Sequence, residues 1–424
     1  MVVQRDGKYR FTCLIYLFII CVTGTGPLTI HAATIADLKE NCSDTIPAKT
    51  KPNEKTQTDL IDITLRVFNR KQTRKDSAGI RDTKLYVSAA PIVEYTVATG
   101  FSPGIAGNIA FKTSVIKQTN TSSVLGAVKY TQRGQLLIPV QTSYWTPGNK
   151  YNFLGDWRYL DYSQDTYGLG GYTVLADKYL ITYRYLRLYE YVFKSITKNF
   201  YAGLGYQLDY HWKIAESGIQ VGQVTDFKKY GFATSSVSSG LGLAVLYDTR
   251  ENSINPDGGS TFARIQFLQN STILGSNTNW NSLLIDLRKY IGLPHHAILG
   301  LWCYNYFTLQ GNPPYLDLTG TGTDGYNNAG RGYEQNRYVG KNMMYAEAEL
   351  RFGITRNGLL GGVVFGNAQT ISEINTGRFE VIAPGFGAGL RIKFNKFSKT
   401  NACIDYGIGT GGSHGFVGNL GEVF

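Results

Sequence analysis

The side chains best suited to chemistry are few in this chain, and their spacing gives them no catalytic task. His295 and His296 are adjacent, so on a strand they face opposite sides and cannot share a ligand or a proton relay. His211 and His414 stand at no spacing that makes a metal site. Of the five cysteines, Cys13 and Cys21 fall in an apolar leader, and Cys42, Cys303 and Cys403 form neither a metal-ligand spacing nor a disulfide framework. Gly168-Leu-Gly-Gly171 and Gly203-Leu-Gly205 imitate phosphate loops, yet no helical pattern follows either. The expectation is a protein that is no enzyme and takes no metal or cofactor.

The elements that carry these residues are strands. Charged residues make up 17% of the 424 positions, against about 25% in ordinary globular proteins, while 49 glycines and 30 tyrosines are an excess. No run after residue 33 reaches the ~18 uncharged apolar residues that a membrane-spanning helix needs. From Leu85 onward, alternating segments are separated by breaks rich in Gly, Asn, Ser or Pro. Sixteen strands are predicted: 85–99, 104–116, 124–132, 135–146, 150–162, 177–195, 199–213, 237–250, 259–271, 279–291, 295–309, 342–355, 358–369, 383–395, 400–410 and 414–424. In 383–395, Phe386, Ala388, Leu390, Ile392 and Phe394 oppose Gly387, Gly389, Arg391, Lys393 and Asn395. In 342–355, Ala346, Ala348, Leu350 and Phe352 oppose Tyr345, Glu347, Glu349 and Arg351. One apolar face and one charged face suit a lipid-facing wall around a polar lumen, so the fold class is all-β, a transmembrane antiparallel β-barrel of about 16 strands. The breaks agree, because the even-numbered ones are short and the long ones (163–176, 214–236, 310–341 and 370–382) are all odd-numbered.

Arg5, Lys8 and Arg10 before an apolar stretch from Phe11 to Val22, with Ala32 and Ala33 behind it, read as a secretory signal over 1–33. A short segment, 34–84, follows and is expected in the periplasm. Within it the apolar residues from Leu60 to Phe68 fit an amphipathic helix better than a strand, with Asp59 and Asp62 at its start and Arg66 and Arg70 at its end. The chain carries +11; the signal accounts for a net +2, leaving +9, part of it in a cluster from Arg66 to Lys84. No nucleic-acid pattern accompanies this charge, so the expected partners are outer-membrane lipids, including anionic headgroups.

Gly240 to Ser260, Gly330 to Tyr333 with the residues that follow it to Arg351, and the segments from Pro384 to Phe424 together span the barrel region, 85–424, and resemble the BamA/TamA barrel superfamily, the bacterial surface antigen domain. Gly240 to Ser260 resembles its strand-turn-strand motif: Tyr247-Asp248-Thr249-Arg250 would end a strand at the periplasmic rim, and Asn255-Pro256-Asp257-Gly258-Gly259 would reverse the chain. Gly330-Arg331-Gly332-Tyr333, with Arg337-Tyr-Val-Gly340 and Glu349-Leu-Arg351, resembles the long sixth extracellular loop and the strand after it. Pro384 to Arg391, Asp405-Tyr-Gly407 and Gly421-Glu-Val-Phe424 resemble the closing strands.

The resemblance implies that the sixth loop folds into the lumen, where Arg331 pairs with polar groups on nearby strands, Gly332 permits close backbone approach and Tyr333 stacks. Many members place an acidic residue where this chain has Asn367, which accepts a hydrogen bond but cannot neutralise charge, so Glu347 and Glu349 are the expected partners. In a partly hydrated lumen such a pair would be worth only about 1 kcal/mol. Phe416, Leu420 and Phe424 share a face expected to meet lipid in the closing strand, with Glu422 on the same face at the rim. The resemblance further implies an outer-membrane location, help from the barrel-assembly machinery during insertion, and a role in placing or translocating protein or lipid. Members that do so carry periplasmic domains of roughly 75 residues each; none fits between Thr34 and Lys84, which leaves a separate periplasmic or lipoprotein partner as the expectation. A passive channel plugged by its loop, or a surface-binding barrel acting through 163–176 and 214–236, are the alternatives.

Overall fold

Period-two alternation runs through nearly the whole of the chain that follows residue 85, and it builds one sheet. The computed structural model describes residues 57–67, 85–96, 100–115, 119–219, 222–231, 233–325 and 327–424. The signal, most of the leader and most of the basic cluster lie outside the described residues. In chain order the strands are β1 (Tyr86–Thr96), β2 (Gly100–Phe111), β3 (Ser122–Tyr130), β4 (Leu136–Trp145), β5 (Tyr151–Thr166), β6 (Tyr179–Thr197), β7 (Phe200–Ser217), β8 (Ser235–Asp248), β9 (Thr261–Asn270), β10 (Trp280–Gly292) and β11 (Ile298–Gly311). A two-residue hairpin, β12 (Thr319–Gly320) with β13 (Val339–Gly340), lies inside a long loop. The wall then resumes with β14 (Asn342–Gly353), β15 (Leu360–Ile371), β16 (Ala383–Asn395), β17 (Thr400–Ile408) and β18 (His414–Leu420). The sixteen wall strands pair antiparallel in sequence order.

The faces follow from the pleat. On β6, Tyr179, Ile181, Tyr183, Tyr185, Tyr191 and Phe193 turn inward and are buried, while Leu188, Val192 and Ile196 are exposed. On β16, Phe386 and Leu390 face outward and Arg391 inward. The sheet curls until its two ends approach: Asn108 Nδ2 on β2 donates to Thr400 Oγ1 on β17 at 3.5 Å. The fold is therefore a sixteen-stranded barrel with an apolar exterior and a charged interior. Its height is uneven, because β6 has 19 residues and β7 has 18 where β18 has seven. The tall wall of β5 to β7 rises at the long-loop end.

No backbone ladder joins β1 to β18 among the described residues. Phe101 O on β2 accepts from Gln132 N beyond β3, so odd-numbered residues of β2 turn their backbone groups toward β3. Pro91 pairs with Ile105, so the odd-numbered residues of β1 face the free edge. Pro91 has no N–H, and thus removes a donor from that edge.

The helix α1 (Leu60–Val67) is held at the short-turn end. Asp59 and Asp62 exchange backbone-to-carboxylate bonds at 2.8 and 3.1 Å, a reciprocal cap. The same carboxylates receive Lys396 from the β16–β17 turn, through its backbone N at 3.0 Å and its Nζ at 2.7 Å.

Candidate functional site

The loop between β11 and β14 fills the lumen, and its course is fixed by glycines and one arginine. Gly330 and Gly332 take φ values of 88° and 99°, a region closed to most side chains. They turn Arg331 inward, where its side chain is fully buried. Arg331 Nη2 donates to Glu347 Oε1 and, at 2.6 Å, to Glu349 Oε2; Nη1 donates to Asp405 Oδ2 at 2.6 Å. Its guanidinium also lies 3.7 Å from the Phe365 ring centroid. Arg351 shares Glu349, and Arg391 shares Asp405. Buried charges persist only when paired in this way.

Asn367 has a different part from the acceptor expected of it: its Nδ2 donates to Arg331 O at 2.9 Å and holds the loop backbone. The charge-balancing residue on the far side is Asp405 of β17, which the sequence marked as part of the closing strands but not as a partner of Arg331. Alternation on β17 gave the signal, because Cys403, Asp405 and Gly407 share the face opposite Ile404, Tyr406 and Ile408. Tyr333 wedges the loop against β16 and β17, its hydroxyl donating to Pro384 O and accepting from Thr410 N at 2.9 Å.

The loop tip reaches the opposite wall. Gly325 O accepts from Gln141 Nε2 on β4 and Arg158 Nη2 on β5, and Arg158 Nη1 donates to Asn327 Oδ1 at 3.1 Å. Asp156 and Asp209 balance Arg158 and Arg187 there. One loop therefore spans the lumen from β14–β17 to β4–β5, held by a buried ion cluster at one end and by hydrogen bonds from Gln141 and Arg158 at the other.

The long-loop end is roofed. Leu169 N donates to Asp226 Oδ2 at 2.9 Å, Gly170 N to Val339 O at 2.8 Å, and Gly171 N to Glu373 Oε1 at 2.7 Å. The glycine cluster that imitates a phosphate loop thus grips carboxylates from two other loops. Phe227, on the one-and-a-half-turn helix α2 (Asp226–Gly231), packs on Tyr315 with Tyr179 and Ile181 close by.

At the short-turn end, Tyr247 is exposed on the outer face, and Asp248 ends β8 by pairing with Arg250, Nη2 to Oδ2 at 2.8 Å. Asn255 and Pro256 do not make a hairpin confined to β8 and β9. Asn255 Nδ2 donates to Lys399 O at 3.1 Å, and Asp257 pairs with Lys399 at 2.7 Å, so this turn crosses the mouth to the β16–β17 turn. Gly258 sits against Gly292, where a Cβ would lie 2.6 Å from its Cα.

The closing strand departs from its expected form. Phe416 is 70% exposed on the outer face and Leu420 half-buried, but β18 stops at Leu420. Gly421 takes φ 102° and turns the chain into the lumen, so Phe424 is 3% exposed and lipid-facing only in the extrapolated alternation. Glu422 likewise points inward, pairing with Arg391 at 2.8 Å.

No family model and no curated protein sequence matches the chain. Among solved structures, it is similar to BamA from Haemophilus ducreyi lacking POTRA domains 1-3, at 15% identity and a TM-score of 0.51, over 79% of this chain and 70% of that one. It is also similar to CdiB from Acinetobacter baumannii, at 13% identity and a TM-score of 0.50 over 80% of this chain, and to CdiB from Escherichia coli, at 8% identity and a TM-score of 0.50 over 79%. This chain spans 60% of either CdiB chain. At these identities the likeness concerns the fold.

Proposed function

We propose that this chain, which has the barrel fold of BamA and CdiB, works in the bacterial outer membrane in the assembly or translocation of protein or lipid, acting at its side rather than through its axis. The observation that carries the reading is the pairing of a lumen spanned by one anchored loop with a seam where, among the described residues, no backbone ladder joins β1 to β18. An axial solute path would have to break the Arg331 and Arg158 anchors. An extended client segment approaching from the side meets the backbone edge that the odd-numbered residues of β1 turn away from β2, a template for strand addition. In this reading the short-turn end faces the periplasm, the signal is removed on export, and the barrel-assembly machinery inserts the chain. A separate periplasmic or lipoprotein partner would deliver clients to α1 and the mouth, and anionic headgroups would meet the basic leader.

The test is reconstitution into lipid vesicles with a denatured outer-membrane barrel as client. The client should reach its heat-modifiable, folded form faster than in empty vesicles of the same composition. An unchanged rate, together with large steady currents in planar bilayers, would replace this reading with the passive channel.

A further inference from the structure

The four residues after β18 are bound as a ligand would be. Phe424 stacks on Trp302, with ring centroids 5.2 Å apart at 30°, and on Tyr290 at 6.2 Å. Gly300 makes room for it, since a Cβ there would come within 3.1 Å of the ring. Two positions earlier, Glu422 meets Arg391 at 2.8 Å and accepts from Asn401 Nδ2 at 2.7 Å. The backbone is read as well: Arg351 Nη2 donates to Phe424 O, and Asn328 Nδ2 of the plug loop donates to Val423 O, both at 2.8 Å. Glu422 N donates to Ile254 O at 2.9 Å, where the β8–β9 turn crosses the mouth.

Leaving this seat strands no buried cation, because Arg351 keeps Glu349 and Arg391 keeps Asp405. It breaks no wall ladder either, because β18 ends at Leu420 and Gly421 N, donating to Asn401 O at 2.8 Å, is where the tail would pivot. We propose that the Tyr290–Trp302–Gly300 pocket, with Arg391 and Asn401, is a peptide-binding site for extended segments carrying an acidic residue two positions before an aromatic one. The chain's own Glu-Val-Phe is its resident occupant, and a client segment of that pattern displaces it. Displacement also removes the Val423 partner of Asn328 and so loosens the plug loop together with the seam strand. The client role rests on the assembly reading above; the site does not.

The test uses the full chain in detergent and a fluorescent peptide of the sequence Asn-Leu-Gly-Glu-Val-Phe. The Phe424→Ala chain should bind it saturably. The native chain should bind at least about tenfold more weakly, since its tethered tail competes at high effective concentration. Binding should vanish when the peptide's Phe is replaced by Ala, and when Gly300→Val fills the pocket in the Phe424→Ala background. Equal binding to the filled pocket, or none to a Phe424→Ala chain that remains heat-modifiable, overturns the site. In vesicles, the peptide should slow client assembly. Binding without slowing overturns the client role and leaves the assembly reading standing; binding to a barrel that assembles no client overturns the assembly reading and leaves the site standing.

Discussion

Arg331 Nη1 and Asp405 Oδ2 lie 2.6 Å apart, joining the plug loop to the strand beside the seam across 74 residues of sequence. With Glu347 and Glu349 on the same guanidinium, this makes one buried cation serve three carboxylates, and the hydrated-lumen figure of about 1 kcal/mol no longer applies. Removing one partner of such a buried set costs about 3–5 kcal/mol. Arg331→Ala should therefore lower the heat-modification midpoint measurably and expose the loop to protease. Arg331→Lys should recover only part, because an ammonium cannot fork across three carboxylates. A midpoint equal to that of the native barrel would refute the hub.

Arg158→Ala should free the loop tip without touching the Arg331 end. In planar bilayers the native protein should pass little current, Arg158→Ala should flicker, and deletion of 322–340 should conduct steadily. Unchanged conductance in the deletion would show that the loop is no plug.

Gly332 takes φ 99°, and a Cβ would lie 2.9 Å from the Ile408 backbone. Gly332→Ala should cost about 1–3 kcal/mol in loop docking. Faster proteolysis within 322–340, with an intact barrel, is the expected readout.

Asp317, in the plug loop, accepts from Ser238 Oγ at 2.5 Å, and burial followed by the nearby Asp209 carboxylate holds its pKa well above the usual carboxylate range. The docked loop thus binds a proton more tightly than the free loop. The contribution of Asp317 to docking is fully present in acid and is lost as pH rises from the free carboxyl's range toward the docked one. Loop protection against protease should fall between acid and neutral pH, and Asp317→Asn should flatten that profile. A profile that rises with pH would reverse the assignment.

Pro91→Val restores a donor and a β-branched residue on the free edge of β1. Hydrogen exchange over 86–96 should slow as β1 pairs with β18, and client assembly should slow with it. Exchange unchanged from the native chain would mean that Pro91 does not keep the seam open.

The wall was legible in the sequence because its cause is local. Apolar and polar residues that alternate on an extended chain must face opposite sides, so Leu350 against Glu349, or Leu390 against Arg391, fixes both faces without knowledge of the rest. The same alternation set Glu347 and Glu349 on the lumen side, and short and long breaks sorted themselves to opposite ends. Tertiary structure decided what depends on distance. Asp405 meets Arg331 only because the barrel's curvature carries β17 round to the plug loop, and no spacing in the sequence encodes that register. The β8–β9 turn looks like a hairpin until the opposite wall offers Lys399 to Asn255 and Asp257. Phe424 shares the parity of Phe416 and Leu420, and alternation therefore sends it toward lipid. One glycine at φ 102° breaks the extended backbone on which that inference depends, and the ring enters a pocket built from strands more than a hundred residues earlier.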